Sequence, residues 1–498
     1  MEFVILSRKI IPASLESFSL STPRYRIDEL PSLYPQPFQK SFPFSLELHA
    51  FLTGRLLKRR ELPFPLPLIQ QHYEHGFLQY EPAIAIKNDG RPVCKRCGNE
   101  KAHLFATIEC FHCKRDCTYC RSCIKLGRIT ACEPLVRWTG PEWQYPLYDD
   151  PLSWTGTLSP GQKHASDLAV EAVRQQTKLL IWAVCGSGKT EVVFAPIAEA
   201  LKKGGRVLLA TPRTDVVKEL FPRLKKAFPV AKITALYGGS EEVFHPAQLV
   251  LATTHQVLRF KQAFDLVIID EVDAFPYTMD KRLQFAVEEA RRAESPLLSL
   301  TATPSKQLLS TSPSLVKIPL RYHGFPLPVP TFSWCGNWRK RLRKNKLPPK
   351  LIQWLTERQP LKTPVFVFVP SIKILNEVGR LLLKENIPCE TVHGEDATRH
   401  EKIERFRKGE NSLLVTTTIL ERGVTIPNVE VAVLGAEDTV FSESALVQIA
   451  GRVGRSASSP SGEVVFFHYG KSDQMVKARR HIQKMNEEGK RFGLLSIM

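Results

Sequence analysis

Gly186-Ser187-Gly188-Lys189-Thr190 has the residue types of a phosphate cradle. Glycines let the chain turn so that successive backbone N–H groups face an anion, a lysine reaches the β- and γ-phosphates, and the adjacent hydroxyl serves Mg²⁺. Cys185 and Glu191 border the loop and count with it as nucleotide-contacting positions. One such match is weak alone. Further along, the apolar run 264–269 leads into Asp270-Glu271-Val272-Asp273, which puts Asp270 and Glu271 at a strand's carboxyl end, where α/β sheets place ligand chemistry. Asp270 is then the metal-side carboxylate beside Thr190, and Glu271 the group that orients or deprotonates the attacking water. Gln448-Ile449-Ala450-Gly451-Arg452-Val453-Gly454-Arg455 adds two cations three apart after a helical pattern, placed to serve as arginine fingers. Gln162 offers an amide to the adenine edge, Gly423 a nucleotide-contacting turn, and Thr301-Ala302-Thr303 small hydroxyls that couple the nucleotide to motion.

Eight of the eleven cysteines fall between Cys94 and Cys132. A reducing compartment disfavours structural disulfides, so Cys94, Cys97, Cys110, Cys113, Cys117, Cys120, Cys123 and Cys132 read first as metal ligands. Structural zinc takes four thiolates in a tetrahedron, and eight permit two sites. Iron–sulfur clusters also accept four thiolates, so metal binding is firmer than metal identity. His103 and His112 lie within the cluster, but with enough thiolates present they are expected to be exposed or hydrogen-bonded rather than ligating.

The elements that must position these groups follow from apolar periodicity. A helix over 162–176 leads into a strand at 179–183, with further strands at 206–210, 248–252, 264–269 and 297–300. A second series has strands at 365–369, 413–417, 429–434 and 463–467 and helices at 371–385 and 442–451. Strands spaced by helical patterns imply βαβ units and parallel sheets. The expected division is an N-terminal region of unclear fold (1–90), a cysteine-rich zinc-binding module (91–135), a connector (136–155), a first lobe (156–335), a basic interlobe connection (336–350) and a second lobe (351–498). The run 62–69 is too proline-interrupted for a helix.

The ordered set Gly161-Gln162, 186–190, Thr211-Pro212-Arg213, Thr253-Thr254, 270–273, 301–303, 417–425 and 448–455 resembles the superfamily-two DEAD/DEAH-like helicases and translocases. That resemblance covers about 156–498 and implies an α/β fold of two tandem RecA-like parallel-sheet motor lobes, preceded here by a small cysteine-rich domain. The second motif reads Asp-Glu-Val-Asp, with both leading acids intact. Together with Cys94-Lys95-Arg96-Cys97-Gly98 and 119–128, the whole chain resembles the ComFA family of late competence proteins. The resemblance implies an ATP-driven, Mg²⁺-dependent motor on single-stranded DNA during natural transformation. It also implies a four-cysteine zinc site at Cys94, Cys97, Cys120 and Cys123, and as partners ComFC, DprA and the membrane DNA-uptake channel. A core relationship to the primosomal helicase PriA is a further implication.

With 69 Lys+Arg against 50 Asp+Glu, the chain's formal charge of +19 favours polyanionic partners. Thr211, Arg213, Thr253 and Thr417 are candidate contacts to a nucleic-acid backbone, as are Arg339, Lys340, Arg341 and Arg343 in a run of six cations over 339–346. Hydrophobic content of 43% argues against wholesale disorder. The start of the chain lacks a signal peptide's apolar core and no stretch is long and apolar enough to span a bilayer, so the expected location is cytoplasmic, and the resemblance to the ComFA family implies a place peripheral at the inner face of the membrane. An RNA or primosomal-type helicase is the alternative enzyme, and a zinc-containing nucleic-acid scaffold with little ATPase activity the alternative class.

Overall fold

The structure is a computed structural model that describes residues 1–16, 19, 21–240, 246–424 and 426–492; Thr425 of the 417–425 motif lies outside the described residues. The chain divides into two compact units, one of Met1–Thr155, Val170–Lys178 and Phe194–Ser299, the other of Gly156–Ala169, Leu179–Val193 and Leu300–Met498.

In the first unit the N-terminal 155 residues form small antiparallel sheets around their own core. Glu2–Leu6 is flanked by Lys9–Pro12 and Tyr25–Arg26, and Pro134–Trp138 is flanked by Leu56–Lys58 and Leu78–Pro82. Phe3, Leu48, Leu52, Ile69, Tyr73 and Val136 pack between them. The proline-rich run departs from expectation. A helix starts at Leu66 and runs to Glu74, with Pro65 as its N-cap and Pro67 in its first turn. Prolines there cost nothing, because first-turn N–H groups have no intrahelical partner. Residues expected to form a connector include Trp138, which ends the central strand of a sheet.

Five parallel strands complete this unit, in the order Ile233–Leu236, Leu249–Thr253, Val207–Thr211, Leu266–Ile269 and Leu297–Thr301. The three central ones are wholly buried, as apolar runs covered on both faces must be. The N-terminal part is fastened to this sheet by Arg206, 1% exposed, whose Nη1 donates to Thr53 O at 3.0 Å and Nε to Ala247 O at 3.1 Å.

In the second unit Lys178–Ala183 pairs in parallel with Leu315–Ile318. A six-stranded parallel sheet follows, ordered Thr331–Trp334, Val464–His468, Glu430–Leu434, Val365–Phe368, Leu413–Thr416 and Glu390–Val392. Period-two alternation sends Phe366 and Phe368 into one core layer and Val365 and Val367 into the other. Helices Ile372–Lys384, Glu443–Ala450 and Asp473–Arg491 supply much of the cover. The two parallel-sheet lobes have the RecA-like architecture. Within 336–350, helix Trp338–Arg343 buries Trp338 (1% exposed) and Leu342 in the second lobe's core while Arg339, Lys340, Arg341 and Arg343 stay exposed.

Candidate nucleotide site and metal centres

Strand Lys178–Ala183 delivers the phosphate loop. Gly188 has φ +71° and is the N-cap of the turn Lys189–Val192, a conformation L side chains rarely adopt, and a Cβ there would meet Gln162 Nε2 at 2.3 Å. Gln162, expected to read the adenine edge, has both ends of its amide engaged inside the protein. Its Nε2 donates to Ser187 O at 2.8 Å, and its Oε1 accepts from Ser159 N at 2.8 Å. It therefore braces the loop. Lys189 Nζ donates to Ala183 O at 3.2 Å, folded back along its own strand.

The loop touches the 448–455 run directly. Cys185 Sγ donates to Gln448 Oε1 at 3.0 Å, and a Cβ on Gly451 would sit 2.4 Å from Cys185 Cβ, so only glycine permits this approach. The two arginines differ. Arg452 is 2% exposed, with Nε donating to Glu421 O at 2.9 Å and Nη1 to Val424 O, so it knits together the turn that carries Gly423. Arg455 is half-buried and its Nε donates to Gly451 O at 3.0 Å. Thr303 Oγ1 lies 2.6 Å from Ser444 Oγ on the helix that leads into this run, and Trp182 Nε1 donates to Ala302 O at 3.0 Å. The 301–303 tripeptide thus has a bonded path to both.

Arg321 escaped the sequence reading, since a lone arginine in 318–324 matches no motif. Tyr322 N donates to Gly186 O at 3.1 Å and Val184 N to Ile318 O at 3.1 Å, so this segment runs along the phosphate loop. Arg321 is 1% exposed; its Nη1 donates to Gly454 O, which also lies 3.2 Å from His323 Nε2. Burial first, and then the charge of Arg455, push its pKa down to about 10.

In the first unit, parallel register aligns strand ends. Thr211 pairs with Thr253 and Ala210 with Ile269, so Thr211, Thr253 and Asp270 sit at the carboxyl ends of three neighbouring strands. Asp270 Oδ1 accepts from Glu271 N at 2.9 Å, and Asp270 N donates to Ala210 O at 2.8 Å. Arg213 is the N-cap of helix Thr214–Ala227. In the second lobe Thr417 directly follows the strand Leu413–Thr416.

The cysteines resolve into two sets of four. Cys94, Cys97, Cys120 and Cys123 form one, Cys110, Cys113, Cys117 and Cys132 the other, all buried and with sulfurs within 4.8 Å of one another in each. Sulfurs 2.3 Å from a tetrahedral zinc are about 3.8 Å apart. Cys94 and Cys123 are separated by 3.7 Å, Cys97 and Cys120 by 3.7 Å, and Cys110 and Cys132 by 3.8 Å. A multi-iron cluster would stand between the thiolates and spread them, so each set fits a single ion and has zinc-binding capacity. Neither His103 nor His112 belongs to either set, and His112 Nε2 lies 2.7 Å from Arg60 Nη1. The first set touches the parallel-sheet part of its unit: a Cβ on Gly98 would strike the Phe285 ring at 2.5 Å, and Arg282 donates to Ser122 O.

Three families match in tandem: the competence protein ComFA N-terminal domain over residues 39–137, the type III restriction enzyme res subunit over 155–306, and the helicase conserved C-terminal domain over 346–457. The competence protein ComFA of Bacillus subtilis (strain 168) is 47% identical over 456 residues, 91% of this chain and 97% of the relative. The competence protein ComFA of Streptococcus pneumoniae (strain ATCC BAA-255 / R6) is 38% identical over 442 residues, covering 87% and 98%. Among solved structures, S. cerevisiae Dbp5 bound to RNA and ADP BeF3 superposes with a TM-score of 0.51 at 16% identity, over 66% of this chain and 88% of that one, a likeness of fold. By these matches the chain is an ATP-dependent helicase or translocase acting on nucleic acid, and it belongs to the ComFA family of competence proteins.

Proposed function

We propose that the protein is an ATP-driven translocase of single-stranded DNA that serves DNA uptake in natural transformation, with zinc in both four-cysteine sites. The observation that carries this reading is the phosphate loop braced by Gln162 and bonded through Cys185 to Gln448, in a chain 47% identical to a competence protein along nearly its whole length. Within this reading Lys189 binds the β- and γ-phosphates, Glu271 orients the attacking water, and Arg455 offsets charge that develops in the transition state. Thr190 and Asp270 would hold Mg²⁺, which neutralises phosphate charge when bound. Thr211, Arg213, Thr253 and Thr417 would contact the sugar-phosphate backbone, which supplies grip without reading bases.

No described helix is long and apolar enough to cross a membrane. A cytoplasmic location, peripheral at the inner face of the membrane and close to ComFC, DprA and the uptake channel, belongs to the same proposal. The test is steady-state ATP hydrolysis by the full chain with matched single-stranded DNA, duplex DNA and RNA. Strongest stimulation by single-stranded DNA is expected; stimulation by RNA alone would make the chain an RNA motor, and none by any polymer would make it a scaffold.

A further inference from the structure

A guanidinium remains charged at any pH a protein survives, and taking it out of water without a partner is costly. Arg321 is 1% exposed, and its bonded nitrogen, Nη1, meets the neutral carbonyl of Gly454. Nε and Nη2 are buried and have no hydrogen-bond partner among the described residues. Among the described residues the groups that act on it are Arg455, a second cation that makes the site more positive, and the Cys185 thiol, which acts in the opposite sense. Such an arrangement is unfavourable in the protein alone and favourable once an anion joins it.

The position of Arg321 names the anion. The side chain lies along Gly186 of the phosphate loop, where a Cβ would find Arg321 Cγ at 3.6 Å and Nε at 3.8 Å. On its other side a Cβ on Gly454 would meet Nη1 at 2.6 Å. A cavity lined by 159–161 and 318–324 opens beside it, with Arg321 in the wall and the half-exposed Tyr322 ring at hand. A nucleotide held by the loop therefore has an unused cation next to its phosphates and room for its base.

We propose that Arg321 binds a phosphate oxygen of the nucleotide through Nε and Nη2, and through Nη1 on Gly454 ties nucleotide occupancy to the 448–455 run. The proposal rests on the ATP-dependent reading above and adds to it a nucleotide-binding residue outside the recognised motifs. Arg321 then does what a structural arginine does not: it leaves two donors empty until ligand arrives.

The experiment compares wild type, Arg321→Met and Arg321→Gln in the full chain. ADP affinity is measured by calorimetry, thermal midpoint without nucleotide by scanning fluorimetry, and single-stranded DNA affinity by anisotropy. Methionine fills similar volume without a buried charge, and His323 remains near the Gly454 carbonyl, so the nucleotide-free midpoint should hold or rise. ADP affinity should fall at least about tenfold with DNA affinity unchanged. ADP binding within twofold of wild type by the folded Arg321→Met protein overturns the proposal. So does a lowered midpoint with ADP affinity kept, the mark of a purely structural arginine. If the methionine variant does not fold, Arg321→Gln, which keeps a donor for Gly454, decides by the same ADP criterion. A wild type that binds ADP and hydrolyses ATP while Arg321→Met binds normally removes this proposal alone; a wild type without ATPase activity removes the motor reading.

Discussion

At the residue scale, two arginines of one motif have different surroundings and should fail differently. Arg452 is buried and spends its donors on the carbonyls of Glu421 and Val424, so Arg452→Ala leaves buried acceptors unpaired. It should cost about 1–3 kcal/mol of folding stability, read as a shifted denaturant midpoint of the second lobe. Arg455 is less buried, and its Nε donates to Gly451 O. Arg455→Ala should keep the fold and lower DNA-stimulated turnover at least about tenfold, or about 1.4 kcal/mol in the barrier. Glu271→Gln should bind ATP nearly as well as wild type and hydrolyse it slowly, whereas Lys189→Ala should lose the nucleotide itself. Binding and single-turnover hydrolysis on the same preparations separate these cases, and normal turnover in both Glu271→Gln and Arg455→Ala would remove the proposed chemistry.

At the element scale, the two four-cysteine sets gather segments too short to hold themselves. The strand Asp116–Cys120 carries one ligand of each set, Cys117 and Cys120, and the turn Arg121–Leu126 that follows carries Cys123. Purified protein should contain two zinc ions per chain. Cys94→Ser should lower that toward one and loosen the first set locally, since metal binding energy is folding energy there. Because Gly98 and Ser122, which adjoin Cys97 and Cys123 of this set, meet Phe285 and Arg282, protease cleavage after chelation should extend to helix Lys281–Ala290. Full protection without metal would show that the cysteines are not what holds the module. Much of this architecture was readable in advance. Buried apolar runs mark the central parallel strands, and C-x-x-C spacing marks the sulfur sets, because both depend on residue type alone. Pairing of the eight cysteines was not readable beyond the family's four, since it depends on how strands cross. The same limit hid the edge strands Ile233–Leu236 and Glu390–Val392, which are short, and the helix at Leu66, whose prolines argue against a helix only when its start is unknown. Arg321 was unreadable for a related reason: its proposed role comes from chain packing on Gly186, which leaves no local signature.

At the scale of the whole molecule, a formal charge of +19 attracts nucleic acid wherever cations are exposed, so net charge alone does not locate the binding face. Helix Trp338–Arg343 offers a sharper test, because Trp338 and Leu342 anchor it in the core and fix four cations in the opposite direction. Arg339 is ion-paired with Asp438 and stacks over Trp338 at 4.8 Å, which leaves it less available to phosphate than Lys340, Arg341 and Arg343. Neutralising those three should weaken single-stranded DNA binding equally for all sequences and reduce the slope of log affinity against log salt by about 2, at roughly 0.7 per phosphate contact. Replacing Lys477, Arg479 and Arg480, three exposed cations of helix Asp473–Arg491, removes the same net charge elsewhere in the second lobe. If the face is specific, that control changes affinity slightly and the salt slope hardly at all. Equal effects from the two triple variants would mean that DNA senses only total charge, and an unchanged slope in the first would make 339–343 a solvated face. ATP turnover at saturating DNA should stay near wild type in both, because on the proposed reading these cations grip the strand while the phosphate loop and Glu271 carry out the chemistry.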